Sequence, residues 1–121
     1  MGSYLSGFCY VKLKIQNDIQ PEHFEYSVTL WNLPKQPLIR LLEHAADEDP
    51  HFKFTATYFD GKGYFIDAIN GLAGEWDPDK TYWEILDSDL KQIPVGASSY
   101  KPCNGEVVTF NFKKETDNKC P

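Results

Sequence analysis

Apolar and polar residues alternate in several separate segments of this chain, while only one segment carries a helical period. Val11, Leu13 and Ile15 alternate with Lys12, Lys14 and Gln16, so this extended stretch buries one face and solvates the other. After the turn residues Asn17-Asp18-Ile19-Gln20-Pro21, the side chains Phe24, Tyr26, Val28 and Leu30 repeat at period two and predict a second strand. Phe52 to Tyr58, Tyr64 to Ile69, Thr81 to Leu86 and Glu106 to Phe112 complete the strand set. Asp60-Gly61-Lys62-Gly63 reverses the chain into a hairpin, and Asn70-Gly71 closes the next strand where positive φ costs little. Leu38, Leu41, Leu42 and Ala45 fall on one face of a helix spanning roughly 37 to 47, with Pro37 in its first turn and an end before Pro50. The expectation is an α+β fold: a single small domain, residues 1–121, with one amphipathic helix packed on mainly antiparallel β-sheet in a β-grasp-like layout. Its core is expected over about residues 10–112, with frayed ends at 1–7 and 113–121.

At 121 residues the chain is long enough for one core and too short for two. Eight Phe, seven Tyr and three Trp favour a half-buried pleated surface over a helix bundle. The formal net charge of −6 argues against a nucleic-acid partner and against an anionic membrane surface, both of which need a basic footprint. No apolar run reaches the length of a membrane span, so membrane insertion is not expected. The opening Met1-Gly2-Ser3-Tyr4 lacks the charged and apolar regions of a signal peptide.

Motifs that would announce catalysis or metal binding fail on spacing. Gly61-Lys62-Gly63 lacks the Lys-Ser/Thr and the following helix of a phosphate loop, and reads as a hairpin turn. Asp47-Glu48-Asp49 and Asp87-Ser88-Asp89 lack calcium-loop spacing and a distal Glu, and read as solvated loops. Ser98 and Ser99 sit in no nucleophile elbow and have no histidine in their own segment. Cys9, Cys103 and Cys120 show no zinc spacing with one another or with His23, His44 and His51. Three cysteines suit a secreted disulfide plus one leftover thiol, and equally a set of reduced thiols. The expectation is therefore no catalysis and no metal site.

Three segments read instead as a ligand-facing surface: the turn Ile69-Asn70-Gly71, the aromatic stretch Tyr82-Trp83-Glu84, and the small-residue loop Gly96-Ala97-Ser98-Ser99-Tyr100. Small side chains in that loop leave backbone N–H and C=O groups open to orient a ligand. Strand alternation sends one of Tyr82 and Trp83 inward, so only one of the two rings is available to a ligand.

Taken in order, Phe52-Lys53-Phe54, Ala68-Ile69-Asn70-Gly71, Lys80-Thr81-Tyr82-Trp83-Glu84 and Gly96-Ala97-Ser98-Ser99-Tyr100 resemble the C-terminal β-domain of the cobalamin carriers, the transcobalamin, intrinsic factor and haptocorrin family. The resemblance runs from about Tyr10 to Phe112 and includes the helix at Leu38 to Ala46. In that family the β-domain closes over one face of the corrin ring, and a larger N-terminal α/α barrel holds the rest. The resemblance implies a secreted, extracellular, non-enzymatic transport protein whose ligand is cobalamin or a related corrinoid. It assigns the ligand contacts to the same three segments. A separate α/α-barrel chain or a second copy would complete the site. Glu84 stands where the family usually has Gln, and Ser99 where the human carriers have Asp. A carboxylate at 84 accepts from ring amide N–H groups and offers nothing to carbonyls. The alternative reading is an interaction module of the same fold that binds a protein or another hydrophobic small molecule.

In the β-grasp-like layout the first and last strands run parallel, which brings Cys9 and Cys103 together just before their starts. These two are the expected disulfide, leaving Cys120 free or joined to another chain.

Overall fold

A computed structural model describes residues 10–115. Strands β1 (Tyr10–Asn17) and β2 (Phe24–Trp31) precede helix α1 (Leu38–Glu48) and a single 3-10 turn at Pro50–Phe52. Then follow β3 (Phe54–Phe59), β4 (Gly63–Ile69), β5 (Leu72–Ala73), β6 (Thr81–Leu86) and β7 (Val107–Lys114). The result is an α+β domain, mostly strand, with one helix.

The strands form two sheets, one of four strands in the order β2-β1-β7-β6 and one of three in the order β3-β4-β5. β1 runs antiparallel to β2 and parallel to β7, so the first and last strands lie side by side at the centre of the larger sheet. Alternation does its expected work there. Leu13, Ile15, Val108, Phe110 and Phe112 all turn to one face, where they are buried against Leu38, Leu41, Leu42 and Ala45 of α1 and against Phe52. Asn17 is buried at the end of β1 and stays satisfied, because its Oδ1 accepts from the Ile19 and Gln20 amides at 3.0 Å while its Nδ2 donates to the Gln20 carbonyl.

Several boundaries differ from the sequence reading, each for a local reason. Pro37 precedes the helix as its extended cap residue, and its carbonyl accepts from the Arg40 amide at 2.9 Å. Phe52 closes the 3-10 turn, whose cap is the Asp49 carboxylate accepting from the His51 amide, so β3 starts at Phe54. β7 runs on to Lys114, where the expectation had a frayed tail, because β6 pairs with it through Thr81 and Lys114. The Glu115 amide then donates to the Lys80 carbonyl at 2.8 Å.

The short strand β5 was not expected. Asn70 and Gly71, both at positive φ, make the two-residue turn that folds Leu72 and Ala73 back on β4. A bulge at Asp67, opposite the Thr55/Ala56 step, lets Ile66 and Ile69 both face the core although they are three residues apart.

Candidate functional site

The two sheets meet along a seam between β4 and β6. Three bonds fasten it: the Trp83 indole Nε1 donates to the Leu72 carbonyl at 2.9 Å, the Glu75 amide to Thr81 Oγ1 at 2.8 Å, and the Tyr64 amide to Ser98 Oγ at 2.8 Å. Gly74 allows the backbones to approach closely. A Cβ built there would stand 2.8 Å from the Thr81 carbonyl oxygen and 2.9 Å from Tyr82 Cα, so any larger residue would push the sheets apart.

Outside these fastenings the seam opens into a cleft. One part, about 470 Å³, lies among Phe65, Asp67, Gly74, Trp76, Tyr82 and Glu115. A smaller continuation of about 250 Å³ runs past Tyr82 and Glu84 to Gln92, Ile93, Gly96 and Ala97. Aromatic rings dominate the first part: Trp76 and Tyr82 meet at 68° with centroids 6.1 Å apart, and half of Phe65 remains exposed.

The open edge of β6 adds backbone groups. The Thr81 amide donates to the Glu75 carbonyl and the Ile85 carbonyl accepts from Ile93, both on the side away from β7. Backbone groups of alternate residues in a strand point the same way, so the N–H and C=O of Trp83 face the seam between these two bonds.

The structure brings some of the sequence candidates to this cleft and sends others elsewhere. Tyr82, Glu84, Gly96 and Ala97 line it. Trp83 contributes backbone only. Its ring is 4% exposed, packed edge-on to Phe112 at 5.1 Å and tilted on Phe24, so it is Tyr82 that turns outward. The turn Ile69-Asn70-Gly71 lines neither cavity: Ile69 is core, and the Asn70 amide donates to the Lys53 carbonyl.

The 96–100 loop spends much of its backbone within the protein. Its carbonyls are largely engaged by the protein itself. The Leu38 amide donates to the Tyr100 carbonyl at 2.7 Å and the Ile39 amide to the Ala97 carbonyl at 3.1 Å, which satisfies the first amides of α1. The Gly96 carbonyl accepts from Ser99 and Tyr100. Ser98 is held by the β4 bond, and Ser99 is exposed. The Tyr100 hydroxyl donates to Glu106 Oε2; burial first, then this hydrogen bond and the carboxylate's charge, push the phenol far above its usual range.

Glu84 is 9% exposed and sits in a polar row on the outer face of the larger sheet. Its Oε2 accepts from Asn111 Nδ2 at 2.7 Å, its Oε1 from Gln92 Nε2 at 3.2 Å, and Gln16 donates to Asn111 behind it. Lys113 Nζ stands 3.8 Å from Oε1. Both carboxylate oxygens are thus committed within the protein.

Sequence reasoning missed Phe65 and Trp76. Phe65 was counted only as a strand residue, and Trp76 lies in a segment without periodicity. An aromatic residue stranded among Gly74, Glu75, Asp77 and Pro78 was the available signal. Cys103 is exposed ahead of β7, while Cys9 and Cys120 lie outside the described residues. No three His, Cys, Asp or Glu side chains are grouped to hold a metal ion among the described residues. No helix among them is long and apolar enough to cross a membrane.

These features define a class first: a small α+β domain, one helix on mixed sheets, with an aromatic cleft at the seam between them. The family follows from residues 42–114, which match the profile described as Domain of unknown function (DUF4430), and the chain belongs to that family. Haptocorrin, solved in complex with Cbi, is similar with a TM-score of 0.69 and 28% identity, over 88% of this chain and 26% of that one. The chain therefore spans about a quarter of the haptocorrin chain. A protein from Ruminococcus gnavus ATCC 29149, described as a candidate metal binding protein, is similar with a TM-score of 0.71 over 89% of this chain and 99% of that one. At 13% identity it bears on the fold alone. No curated protein matches the chain.

Proposed function

We propose that this chain is a non-catalytic binding domain for cobalamin or a related corrinoid, covering one face of the ring with the surface around Tyr82, Glu84 and the Gly96–Tyr100 loop. The observation that carries the reading is the likeness to haptocorrin, whose solved complex holds Cbi. The central parallel pair β1/β7 with α1 on one face supports the β-grasp-like layout expected from the order of hairpin, helix and further strands. In this reading Tyr82 supplies the apolar contact, and the Trp83 backbone offers one donor and one acceptor to the ring's amides. The turn Ile69-Asn70-Gly71 lies off this surface and contributes through the β4–β5 connection. The protein works outside the cell, and Cys9–Cys103 is its disulfide.

A domain that covers one face lacks the contacts and water exclusion of a two-sided clamp. A separate α/α-barrel chain or a second copy supplies the other face in this proposal. Losing ~5 kcal/mol of contacts takes a nanomolar site to the micromolar range, so the isolated chain binds weakly. Titration with cobinamide and with cobalamin, followed by visible absorbance and heat, tests it. Micromolar binding that Gly96→Val weakens supports the proposal, since a Cβ at Gly96 meets nothing within 4 Å and the fold tolerates it. No spectral change with either corrinoid refutes it, and sub-nanomolar binding by the monomer refutes the need for a second component.

A further inference from the structure

We propose that the larger part of the seam cleft binds an organic cation, a quaternary or methylated ammonium group, independently of any corrinoid. The walls are aromatic and meet at an angle: Trp76 and Tyr82 stand at 68° to each other, and Phe65 comes from the facing strand. Ring faces carry negative potential and attract a cation that gives up its water. Trp76 already has a cation over its ring, since Lys80 Nζ lies 4.9 Å from the ring centroid while Lys80 is not among the residues lining the cleft.

The charges agree with the rings. Asp67 and Glu115 line the same space, and neither Lys nor Arg does. Thr57 Oγ1 donates to Asp67 Oδ2 at 2.6 Å and leaves its other oxygen for a ligand. A carboxylate or phosphate would meet two acidic side chains lining the space, and the nearby cation, Lys80, is already taken up over Trp76. A neutral hydrocarbon would gain from the rings and nothing from the carboxylates. An alkylated ammonium satisfies both, because its methyl groups contact the rings while its charge faces Asp67 and Glu115. The volume of about 470 Å³ exceeds one trimethylammonium head, so a head with an attached chain fits, as in choline or a methylated lysine side chain.

The test compares choline with its neutral isostere 3,3-dimethylbutanol on the whole chain, without corrinoid, by calorimetry and by the shift of the Trp76 indole N–H resonance. Saturable choline binding at least about tenfold tighter than the isostere is expected, and it weakens as salt is raised. Trp76→Leu keeps apolar bulk but removes the π-face; because Trp76 is 54% exposed, its thermal midpoint stays unchanged while choline binding is lost. Glu115→Gln weakens choline several-fold and leaves the isostere unaffected. Equal affinity for the two probes, absence of saturable choline binding, or Trp76→Leu binding choline as the native chain does would each overturn the proposal.

Discussion

The core-facing side of the larger sheet and the β3–β4 hairpin are built from the same kinds of residue and treat them oppositely, while Tyr10 and Trp31 of that sheet stay exposed. In the larger sheet Trp83, Phe110 and Phe112 are buried beneath α1 and its neighbours. In the hairpin, Tyr58, Phe59, Tyr64 and Phe65 are all about half exposed, paired with one another across the strands as Tyr58–Tyr64 and Phe59–Phe65. These rings stay open beyond the pairs they make with one another, and Phe65 also lines the cleft with Trp76 and Tyr82. Aromatic content therefore says little about where a core lies. What decides is whether another layer stands over the strand, and exposed rings with no such layer are the surface available to a partner or ligand.

Substitutions separate the two regions by size of effect. Trp83→Ala removes the ring from between Phe112 and Phe24 and leaves the Leu72 carbonyl without its donor, so urea denaturation should show a loss of ~3–5 kcal/mol. A loss below ~1 kcal/mol would move Trp83 out of the core and return it to the ligand surface. Glu84→Ala orphans the Asn111 and Gln92 amides and should cost ~1–3 kcal/mol, whereas Glu84→Gln should recover part of that. If both cost nothing, the polar row is solvated and the carboxylate is open to a ligand.

Tyr100→Phe should cost ~1 kcal/mol at neutral pH by removing the bond to Glu106. Its pH signature is more informative. The unfolded phenol titrates near ~10 and the folded one higher, so between these values the folded state holds the extra proton. The native chain should therefore lose stability as pH rises above ~10, and Tyr100→Phe should lose less over the same range. Identical alkaline slopes would show that the loop does not protect this hydroxyl. The smallest effect is expected from Phe59→Ser at the exposed end of the hairpin, within ~0.5 kcal/mol of the native chain. A loss comparable to that of Trp83→Ala would mean that something covers the hairpin in solution and would erase the contrast between the regions.

Local pattern alone located six of the seven strands, the helix and the tight turns, because alternation, helical spacing and the Asn70-Gly71 pair are properties of neighbouring residues. It also established that Tyr82 and Trp83 must face opposite ways. Which of them faces out was decided only by tertiary structure, since Phe112 and Phe24 lie 29 and 59 positions away in sequence and no local rule registers them. The same limit applies to the 96–100 loop. Its small residues predict an accessible backbone, yet the groups that take up two of its carbonyls are the first amides of α1, about 60 residues earlier. The close approach of the two sheets depends on Gly74, whose missing side chain matters only because Thr81 and Tyr82 come to rest against it. Trp76 entered the cleft for the same reason: periodicity reports which face of a strand is buried, but a ring on a loop takes its meaning from the strand it happens to meet.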